Sequence, residues 1–311
     1  MSVHGDDISW HMIRLILQDW QGMSADIAEV KPLCGGSISS TVLVKTQKGE
    51  RAVLKISPHR VDHSYVNEAY QLNVLRGIGI PTPQVYGCKV GDLDQPFSYL
   101  LMEHVDGVDL ADARNQCNTP EYDHLQMHLA ELMRTIHSQT HSHYTRVTDG
   151  DRQEFEKWHE FYLHIYAGIW NEAQKVPSMT VKMRKQITRI HDRLDILLAG
   201  VDCPRLTHSD LWSANVLAKK DQHGKWYVTA ILDPNCKYAH FESELAYLEL
   251  FKTTNSAFMR AYQENARLPN EYHIIRKPVY QLYELLNHLQ LFGAEYFKPI
   301  QVGLDMLTRF V

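Results

Sequence analysis

Residues 206–217 read LTHSDLWSANVL, and residues 228–236 read VTAILDPNC. Asp210 precedes Asn215 in the first stretch, and Asp233 ends a run of apolar and β-branched residues in the second. Phosphoryl transfer needs a carboxylate that orients or deprotonates the attacking hydroxyl, and oxygen ligands for one or two Mg²⁺ ions. A single aspartate often does no more than end a strand or cap a turn. The order and spacing of all three side chains nevertheless predict a kinase, with Asp210 at the hydroxyl and with Asn215 and Asp233 at the metal.

A lysine and a glutamate upstream fit the same chemistry. Lys55 lies in AVLKIS (52–57), which reads as a strand, and Glu68 lies on the helix predicted next. A strand lysine can reach the α and β phosphates of a nucleotide, and a helical glutamate can pair with it. Surface positions are the commonest fate of both residue types. The apolar residues around Lys55 favour the paired, functional interpretation.

A glycine-rich segment precedes the strand that leads to Lys55. Glycines and small hydroxyl residues let backbone N–H groups approach a phosphate closely, which favours a phosphate loop formed by Gly35, Gly36, Ser37 and Ser39. The segment matches neither GxxxxGK[ST] nor GxGxxG, and two glycines before a strand also suit a plain turn. Its position ahead of Lys55 is what favours nucleotide binding.

The stretch LLMEHVDG (100–107) ends the last predicted strand of the N-terminal region. A linker at this position can offer backbone C=O and N–H groups to adenine, with apolar residues gripping the ring. We therefore expect Glu103 and Val105 to contact the nucleotide through their backbones. A plain edge strand and loop is the alternative.

Composition excludes several other classes of protein. The 311 residues carry a formal charge of -5 and contain no Lys/Arg block, so we expect no nucleic-acid partner. An apolar run of about 18 residues is absent, and the N-terminus does not resemble a secretory signal, so no membrane span is predicted. The eighteen histidines include HSH at 141–143, but none shows HExxH-like spacing, so we interpret them as surface or core residues.

The cysteines indicate a reducing compartment. Their number is odd and no CxxC pair occurs, which argues against a disulfide framework and a zinc ribbon and favours a cytoplasmic location. The five positions are Cys34, Cys88, Cys117, Cys203 and Cys236.

The hydrophobic pattern predicts an α+β protein with a small β-rich lobe followed by a larger, mostly helical lobe. We expect residues 1–104 to form the nucleotide-binding lobe, with helix 7–20, strands at about 30–56, helix 62–76 and strands at 84–105. Residues 105–311 would form the catalytic and acceptor-binding lobe. Its predicted helices are 120–141, 153–174, 179–199, 242–251, 255–266 and 272–293, and a strand pair is expected at about 215–233.

Four motifs together resemble the fructosamine kinase (ketosamine-3-kinase) family. They are AVLKIS (52–57), HSDLWSAN (208–215), ILDPN (231–235) and RKPVYQLYELLNHLQLFG (276–293), and the resemblance covers about residues 8–300. That family belongs to the aminoglycoside-phosphotransferase-like group, which implies a bilobal protein-kinase-like fold.

The resemblance implies a role for each motif residue. Asp210 would be the catalytic aspartate, Asn215 and Asp233 would hold Mg²⁺, and Lys55 would contact the phosphates while paired with Glu68. The segment from Gly35 to Ser39 would be the phosphate loop.

Further residues near the motifs have less definite roles. His208 would shape the catalytic loop. Trp212 would either pack on the substrate or support the loop from a buried position. His288 and Tyr283 lie on a predicted helix that could face the acceptor, although at helical spacing such residues are more often core.

The chain departs from the family pattern at three points. Ser209 stands where the family usually has glycine, and because this step need not have a positive φ, we expect activity to survive. Ser37 replaces a cysteine that many members carry, with Cys34 just outside the loop, which puts thiol-based regulation in doubt. Asn235 replaces a small residue and lies near enough in sequence to touch the metal or the substrate.

Together these patterns predict an ATP- and Mg²⁺-dependent phosphotransferase with an alcohol group as acceptor. The acceptor would be a sugar hydroxyl of a ketosamine, either a fructosamine or a ribulosamine on a small molecule or a glycated amine, and the role would be deglycation. An aminoglycoside or choline-like acceptor is one alternative, and a nucleotide-binding pseudokinase scaffold is another. The oligomeric state stays open.

Overall fold

The computed structural model describes residues 8–22, 26–33, 40–58, 61–201, 203–264 and 267–311. Helices and strands are numbered separately in chain order. The helices are α1 (Trp10–Gln21), α2 (Ser64–Gly77), α3 (Leu110–Gln116), α4 (Thr119–His137), α5 (Trp158–Ala173), α6 (Val181–His191), α7 (Leu194–Leu197), α8 (Phe241–Leu250), α9 (Ser256–Tyr262), α10 (Lys277–Phe292) and α11 (Phe297–Leu307). The strands are β1 (Ile27–Pro32), β2 (Ser40–Thr46), β3 (Arg51–Pro58), β4 (Val85–Lys89), β5 (Phe97–Glu103), β6 (Val108–Asp109), β7 (Tyr144–Arg146), β8 (Glu154–Phe155), β9 (Arg205–Thr207), β10 (Val216–Lys220), β11 (Trp226–Ile231) and β12 (Lys237–Ala239).

The chain divides into two compact units. Unit 1 comprises Met1–Asn118, Thr148–Asp151 and Ala214–Asn235, and unit 2 comprises Thr119–Val147, Arg152–Ser213 and Cys236–Val311. Segment 214–235 joins unit 1 because β10 pairs with β6 as well as with β11. The two units are defined by which segments pack together. The sequence-based boundary after residue 104 instead marks where the residue pattern changes from β-rich to mostly helical.

Unit 1 is built on an antiparallel five-stranded sheet in the order β1-β2-β3-β5-β4, with a helix on each face. Strand β5 contacts both helices, because its side chains alternate between the two faces of the sheet. Tyr99 and Leu101 pack in the cluster that includes α1, whereas Leu100 and Met102 pack against α2. A smaller sheet in the order β11-β10-β6 completes the unit.

The small sheet of unit 1 requires a glycine at the approach to β6. A Cβ atom on Gly107 would lie 3.0 Å from the Ala218 carbonyl oxygen and 2.9 Å from Thr229 Oγ1. These separations are too short for a side chain, so Gly107 allows the chain after β5 to run beside β10 and β11.

Unit 2 combines helices with a four-stranded antiparallel sheet in the order β8-β7-β12-β9. Its interior is rich in aromatic rings, which bury large areas and contact one another at angled geometries. Trp158 of α5 donates a hydrogen bond of 3.0 Å to the hydroxyl of Tyr280 on α10, and Tyr162 packs at 5.6 Å from the Tyr280 ring. This aromatic core joins α5 to α10.

Most predicted elements are present, with shifted ends. The first helix begins at Trp10 because Ser9 caps it, accepting from the Met12 amide at 3.2 Å. The structure adds β1, which precedes the glycine-rich segment and pairs with β2. The region predicted as one helix at 179–199 divides into α6 and α7, and β7, β8, β9 and β12 were not predicted. Strands of two or three residues are too short to display an alternating pattern.

The described chain contains no helix that is long and apolar enough to cross a membrane. The four cysteines outside the undescribed segments, Cys88, Cys117, Cys203 and Cys236, carry no disulfide. The cytoplasmic location stays a prediction.

His240, directly before α8, should make unit 2 sensitive to acid. Burial, reinforced by the positive charge of Arg276, lowers its pKa from 6.5 to about 3. The unfolded chain therefore takes up a proton below about pH 6.5 that the folded chain refuses, and stability falls as the pH falls. We expect this residue to remove about 1.4 kcal/mol of unfolding free energy per pH unit between pH 6 and 4.

Urea denaturation followed by tryptophan fluorescence would measure this at several pH values. His240→Gln should lose stability less steeply with falling pH than the wild type. The exposed His273→Gln serves as the control and should keep the wild-type slope. Equal slopes for His240→Gln and the wild type would contradict the assignment.

Candidate active site

Lys55 occupies β3, where side chains alternate between the two faces of the large sheet. Leu54 and Ile56 lie in the core that contains α1, whereas Val53 packs in the cluster formed with α2. Lys55 follows the same alternation as Val53, so its side chain lies on the face that carries α2 and Glu68.

Lys55 joins two carboxylates. Its Nζ lies 2.7 Å from Glu68 Oε1 and 2.6 Å from Asp233 Oδ1. The lysine and glutamate side chains are 11% and 14% exposed, whereas that of Asp233 is 43% exposed. Burial alone would lower the pKa of Lys55, but the two carboxylates outweigh it and raise the pKa above its usual value. Lys55 is therefore a permanent cation fixed between the helix and the end of β11.

The predicted metal ligands lie at one end of the β10–β11 hairpin. Val216 pairs with Ile231, and the Leu232 amide donates to the Asn215 carbonyl at 2.9 Å. Asn215 directly precedes β10, and Asp233 follows β11 by two residues, so both belong to the same end of the hairpin. A carboxamide and a carboxylate are hard oxygen donors that suit Mg²⁺ completed by phosphate oxygens and water.

The predicted adenine contacts lie where β5 ends. The Glu103 amide is engaged in unit 1, since it donates to the Gln84 carbonyl at 2.8 Å, and the Glu103 side chain accepts from the Gln84 amide at 3.0 Å. Any backbone contact of Glu103 with a nucleotide therefore falls to its carbonyl, while Val105 is half-buried beyond the strand. The predicted phosphate-loop residues lie outside the described part of the chain: Gly35, Gly36, Ser37 and Ser39.

In unit 2, the loop that carries His208, Ser209 and Asp210 is held by a buried carboxylate that the sequence did not single out. Glu244 of α8 accepts from the backbone amides of His208, at 3.0 Å, and Ser209, at 2.6 Å. It also lies 2.9 Å from His137 Nε2, and the other ring nitrogen of His137 contacts the Tyr262 hydroxyl. Burial would raise the pKa of Glu244, but hydrogen bonds and the neighbouring histidines hold it below its usual value. Glu244 therefore stays ionised and fixes two successive amides.

Asp210 is held at its backbone and at its carboxylate. Its amide donates to His208 Nδ1 at 3.3 Å, and its Oδ1 accepts from the Tyr247 hydroxyl at 2.8 Å. Burial and the neighbouring carboxylate of Asp210 raise the pKa of Tyr247, so this tyrosine keeps its proton and acts as the donor. His208 is fully buried, which supports the structural role expected for it.

A small cavity lies beside this loop within unit 2. Its volume of about 40 Å³ has room for two or three water molecules. Tyr166 donates to Glu284 there, and burial together with Arg146 lowers the pKa of Lys237 to about 8. The lining residues are Trp158, Tyr162, Ile165, Tyr166, Ser209, Lys237, Ala239, Ser243, Glu244, Tyr247 and Glu284.

Two of the less definite assignments are now decided. Trp212 is 46% exposed, so the interpretation as a buried support is wrong, and its ring remains available to a substrate. Tyr283 is buried and its hydroxyl contacts His191 Nδ1 at 2.7 Å, which makes it a core residue. His288 is half-buried, with its ring centroid 4.7 Å from that of Phe251, and its role at an acceptor stays a prediction.

The backbone of Ser209 contradicts the sequence-based expectation for this position. We expected that the step between His208 and Asp210 need not have a positive φ, but Ser209 has a φ of 62°. The left-handed region costs a residue with a Cβ about 1 kcal/mol. The Glu244 contact offsets this cost, as does a 2.7 Å hydrogen bond between the Ser209 and Thr207 hydroxyls.

Glu244 and Tyr247 are the functional residues that sequence reasoning missed. A weak signal existed for Glu244, because it stands directly before the buried residues Leu245 and Ala246, where a surface helix would place an apolar side chain. No local pattern marks Tyr247, since its significance depends on a contact with a residue 37 positions away.

The fold is that of kinase-like phosphotransferases. A crystal structure from Thermobifida fusca YX-ER1, provisionally named fructosamine-3-kinase, matches with a TM-score of 0.73 at 23% identity, over 96% of this chain and 98% of that one. A thermostable mutant of aminoglycoside phosphotransferase APH(4)-Ia, in ternary complex with AMP-PNP and hygromycin B, matches with a TM-score of 0.66 at 20% identity, over 96% and 97%. These matches confirm the predicted α+β, kinase-like fold.

The chain belongs to the fructosamine kinase family, whose model matches residues 9–309. It is therefore a phosphotransferase that acts on a sugar hydroxyl. A "Probable ketoamine kinase" of Vibrio vulnificus (strain CMCP6) is 25% identical over 97% of this chain and all of that protein. The chloroplastic protein-ribulosamine 3-kinase of Oryza sativa subsp. indica is 26% identical over 94% of this chain and 82% of that protein.

At Ser209, we expect glycine to give a more stable protein than alanine, which reverses the usual order of these two residues. Ser209→Gly and Ser209→Ala both remove the hydroxyl, but only glycine removes the cost of the positive φ. We expect Ser209→Gly to be more stable than Ser209→Ala by about 1 kcal/mol in urea denaturation and to lie close to the wild type. A more stable alanine variant would show that the backbone at this position is not left-handed.

Proposed function

We propose that this protein is an ATP- and Mg²⁺-dependent kinase that phosphorylates a sugar hydroxyl of a ketosamine, in a deglycation role. The observation that carries the proposal is the ion-paired cluster of Lys55 with Glu68 and Asp233 at 2.7 and 2.6 Å. A purely structural lysine gains little from two buried or half-buried carboxylates, whereas a phosphate-binding lysine needs one of them as a fixed anchor.

Lys55 would donate hydrogen bonds to phosphate oxygens of the nucleotide, while Glu68 holds its ammonium in place. Asp233 would exchange its contact with Lys55 for a place in the metal site, beside the side-chain oxygen of Asn215. Mg²⁺ bound there would neutralise charge on the transferred phosphoryl group. The backbone of the segment from Gly35 to Ser39 and the Glu103–Val105 stretch would complete the nucleotide site.

Asp210 would orient the acceptor hydroxyl for in-line attack and accept its proton. The Tyr247 hydrogen bond fixes one carboxylate oxygen and so limits the orientations in which the carboxylate can meet the acceptor. His208 and Glu244 keep the loop backbone in place beneath it. Trp212, exposed two residues further along, would pack against the sugar.

A ketosamine acceptor is supported by family membership and by the names of the relatives, a ketoamine kinase and a protein-ribulosamine 3-kinase. Phosphorylation would labilise the sugar–amine adduct and so release the amine. The glycated group would be carried by a small molecule or by an amine on a protein.

Purified protein should consume ATP in the presence of Mg²⁺ and a fructosamine or a ribulosamine, but not with kanamycin or choline. Asp210→Asn should lower kcat by about 10²- to 10⁴-fold while nucleotide binding persists. Lys55→Met should weaken both turnover and nucleotide binding. The exposed Lys45→Met, in the neighbouring strand β2, is the matched control and should behave as the wild type.

Asp233→Asn tests the charge of the metal ligand without changing the backbone, because asparagine also tolerates the positive φ of 52° at this position. We expect it to raise the Mg²⁺ concentration required for half-maximal turnover. Turnover with kanamycin or choline alone would overturn the ketosamine assignment but keep the kinase. Nucleotide binding without turnover on any acceptor of the panel would favour the scaffold alternative.

Removing the Tyr247 hydroxyl should lower kcat without greatly changing the KM of the acceptor. Tyr247→Phe loses one hydrogen bond to a charged carboxylate, which corresponds to a decrease in kcat of about ten- to a hundredfold. Tyr272→Phe is the matched control, because Tyr272 also donates to a carboxylate, that of Glu249 at 2.5 Å. Equal kinetics for Tyr247→Phe and the wild type would remove Tyr247 from the site.

A further inference from the structure

Two histidines and a glutamate meet at one edge of unit 2, outside the residues assigned to phosphoryl transfer. His141 and His143 directly precede β7, and Glu154 begins β8, which pairs with β7 through Thr145. One potential ligand atom from each of the three lies within 4.8 Å of the other two. The sequence alone gave no reason to group them, because the glutamate comes eleven residues after the second histidine.

Contacts on both ring nitrogens hold the His141 side chain in place. Its Nε2 lies 3.3 Å from an NH2 group of Arg152, and arginine can only donate, so Nε2 carries a lone pair. Its Nδ1 lies 3.0 Å from the backbone carbonyl oxygen of His143 and 3.2 Å from the backbone amide nitrogen of the same residue. The ring also stacks on Tyr238 of β12 at 4.6 Å. Backbone contacts on the second ring nitrogen are also what orients many metal-binding histidines.

Arg152 marks the place where a cation is favoured. The same guanidinium that donates to His141 Nε2 also donates from Nε to Glu154 Oε1 at 3.3 Å. Both bonds are long and the side chains are 31% and 39% exposed, so little stability is lost when they break. Arg152 can therefore leave in favour of an ion that binds the same acceptors.

His143 and Glu154 already lie at about the separation expected for two ligands of one metal ion. His143 Nδ1 lies 3.4 Å from Glu154 Oε2. Ligands at about 2.0–2.1 Å from a tetrahedral zinc ion are separated by about 3.3 Å. The His143 and Glu154 side chains are each 39% exposed. Small rotations of these side chains would bring them within coordinating distance of an ion that is also bound by His141.

We propose that His141, His143 and Glu154 form a binding site for a divalent transition metal of the zinc class, with Arg152 as a competing cation. Two imidazole nitrogens and one carboxylate are zinc ligands, whereas Mg²⁺ prefers oxygen donors. The site is thus chemically distinct from the Mg²⁺ site proposed at Asn215 and Asp233. Binding would join β7 to β8, in the sheet whose strand β9 leads into His208, and would stabilise unit 2.

Zinc titration of the metal-free full-length protein, by calorimetry in excess Mg²⁺, tests the site without any activity readout. The expected result is one zinc ion per chain and a rise in the midpoint of thermal unfolding. His143→Gln removes a direct ligand and should weaken binding at least about a hundredfold. His273→Gln removes an exposed histidine elsewhere and should bind as the wild type does, which controls for nonspecific binding to the many histidines.

Arg152→Gln should have the opposite effect on zinc affinity. Removing the competing cation should tighten zinc binding by up to about fivefold. Equal zinc affinity in His143→Gln and the wild type would overturn the site, and so would binding that appears only after Arg152 is replaced. Unsaturable binding of many ions per chain would likewise assign the zinc to scattered histidines.

Discussion

The ion pairs of Lys55 hold unit 1 in its functional arrangement. One ammonium links the middle of β3, the helix α2 and the end of β11, which are far apart in sequence. Desolvating these charges costs free energy that their contacts have to recover, so loss of the lysine charge would leave the buried carboxylate of Glu68 uncompensated, at a cost of about 3–5 kcal/mol. The alternation of β3 matters for the same reason: a slip of one residue would move Lys55 into the apolar core under α1.

Unit 2 relies on a buried charge of the opposite sign. The carboxylate of Glu244 accepts hydrogen bonds from the backbone amides of His208 and Ser209, and the His137 ring contacts it at 2.9 Å. Hydrogen bonds to an ionised group are stronger than neutral ones, which lets a carboxylate that is 2% exposed remain ionised. The loop proposed to be catalytic is thus held by α8, and Tyr247 of the same helix holds the carboxylate of Asp210.

The sequence was sufficient for whatever is local or periodic. The apolar runs at β3 and β5 predicted strands of the large sheet, and the spacing of Asp210, Asn215 and Asp233 predicted the type of chemistry. The sequence was insufficient where a contact joins distant positions, as between Glu244 and Ser209. It was also insufficient where an element is too short to show a periodic pattern, as with β12. The positive φ of Ser209 could not be read from its residue type, because serine usually avoids that region.

The strained residues connect these observations. Three described residues other than glycine have a positive φ, and two of them, Ser209 and Asp233, lie next to the groups proposed for catalysis and metal binding. The third, Lys252, follows the end of α8, where a left-handed residue is a common way to finish a helix. Ser209 is fixed by Glu244 and Asp233 by Lys55, so each buried charge holds one strained residue in place. Backbone strain of this kind persists only where surrounding contacts over-determine it. The two charges therefore do more than stabilise their units: they fix the backbone from which the carboxylates proposed for catalysis and metal binding project.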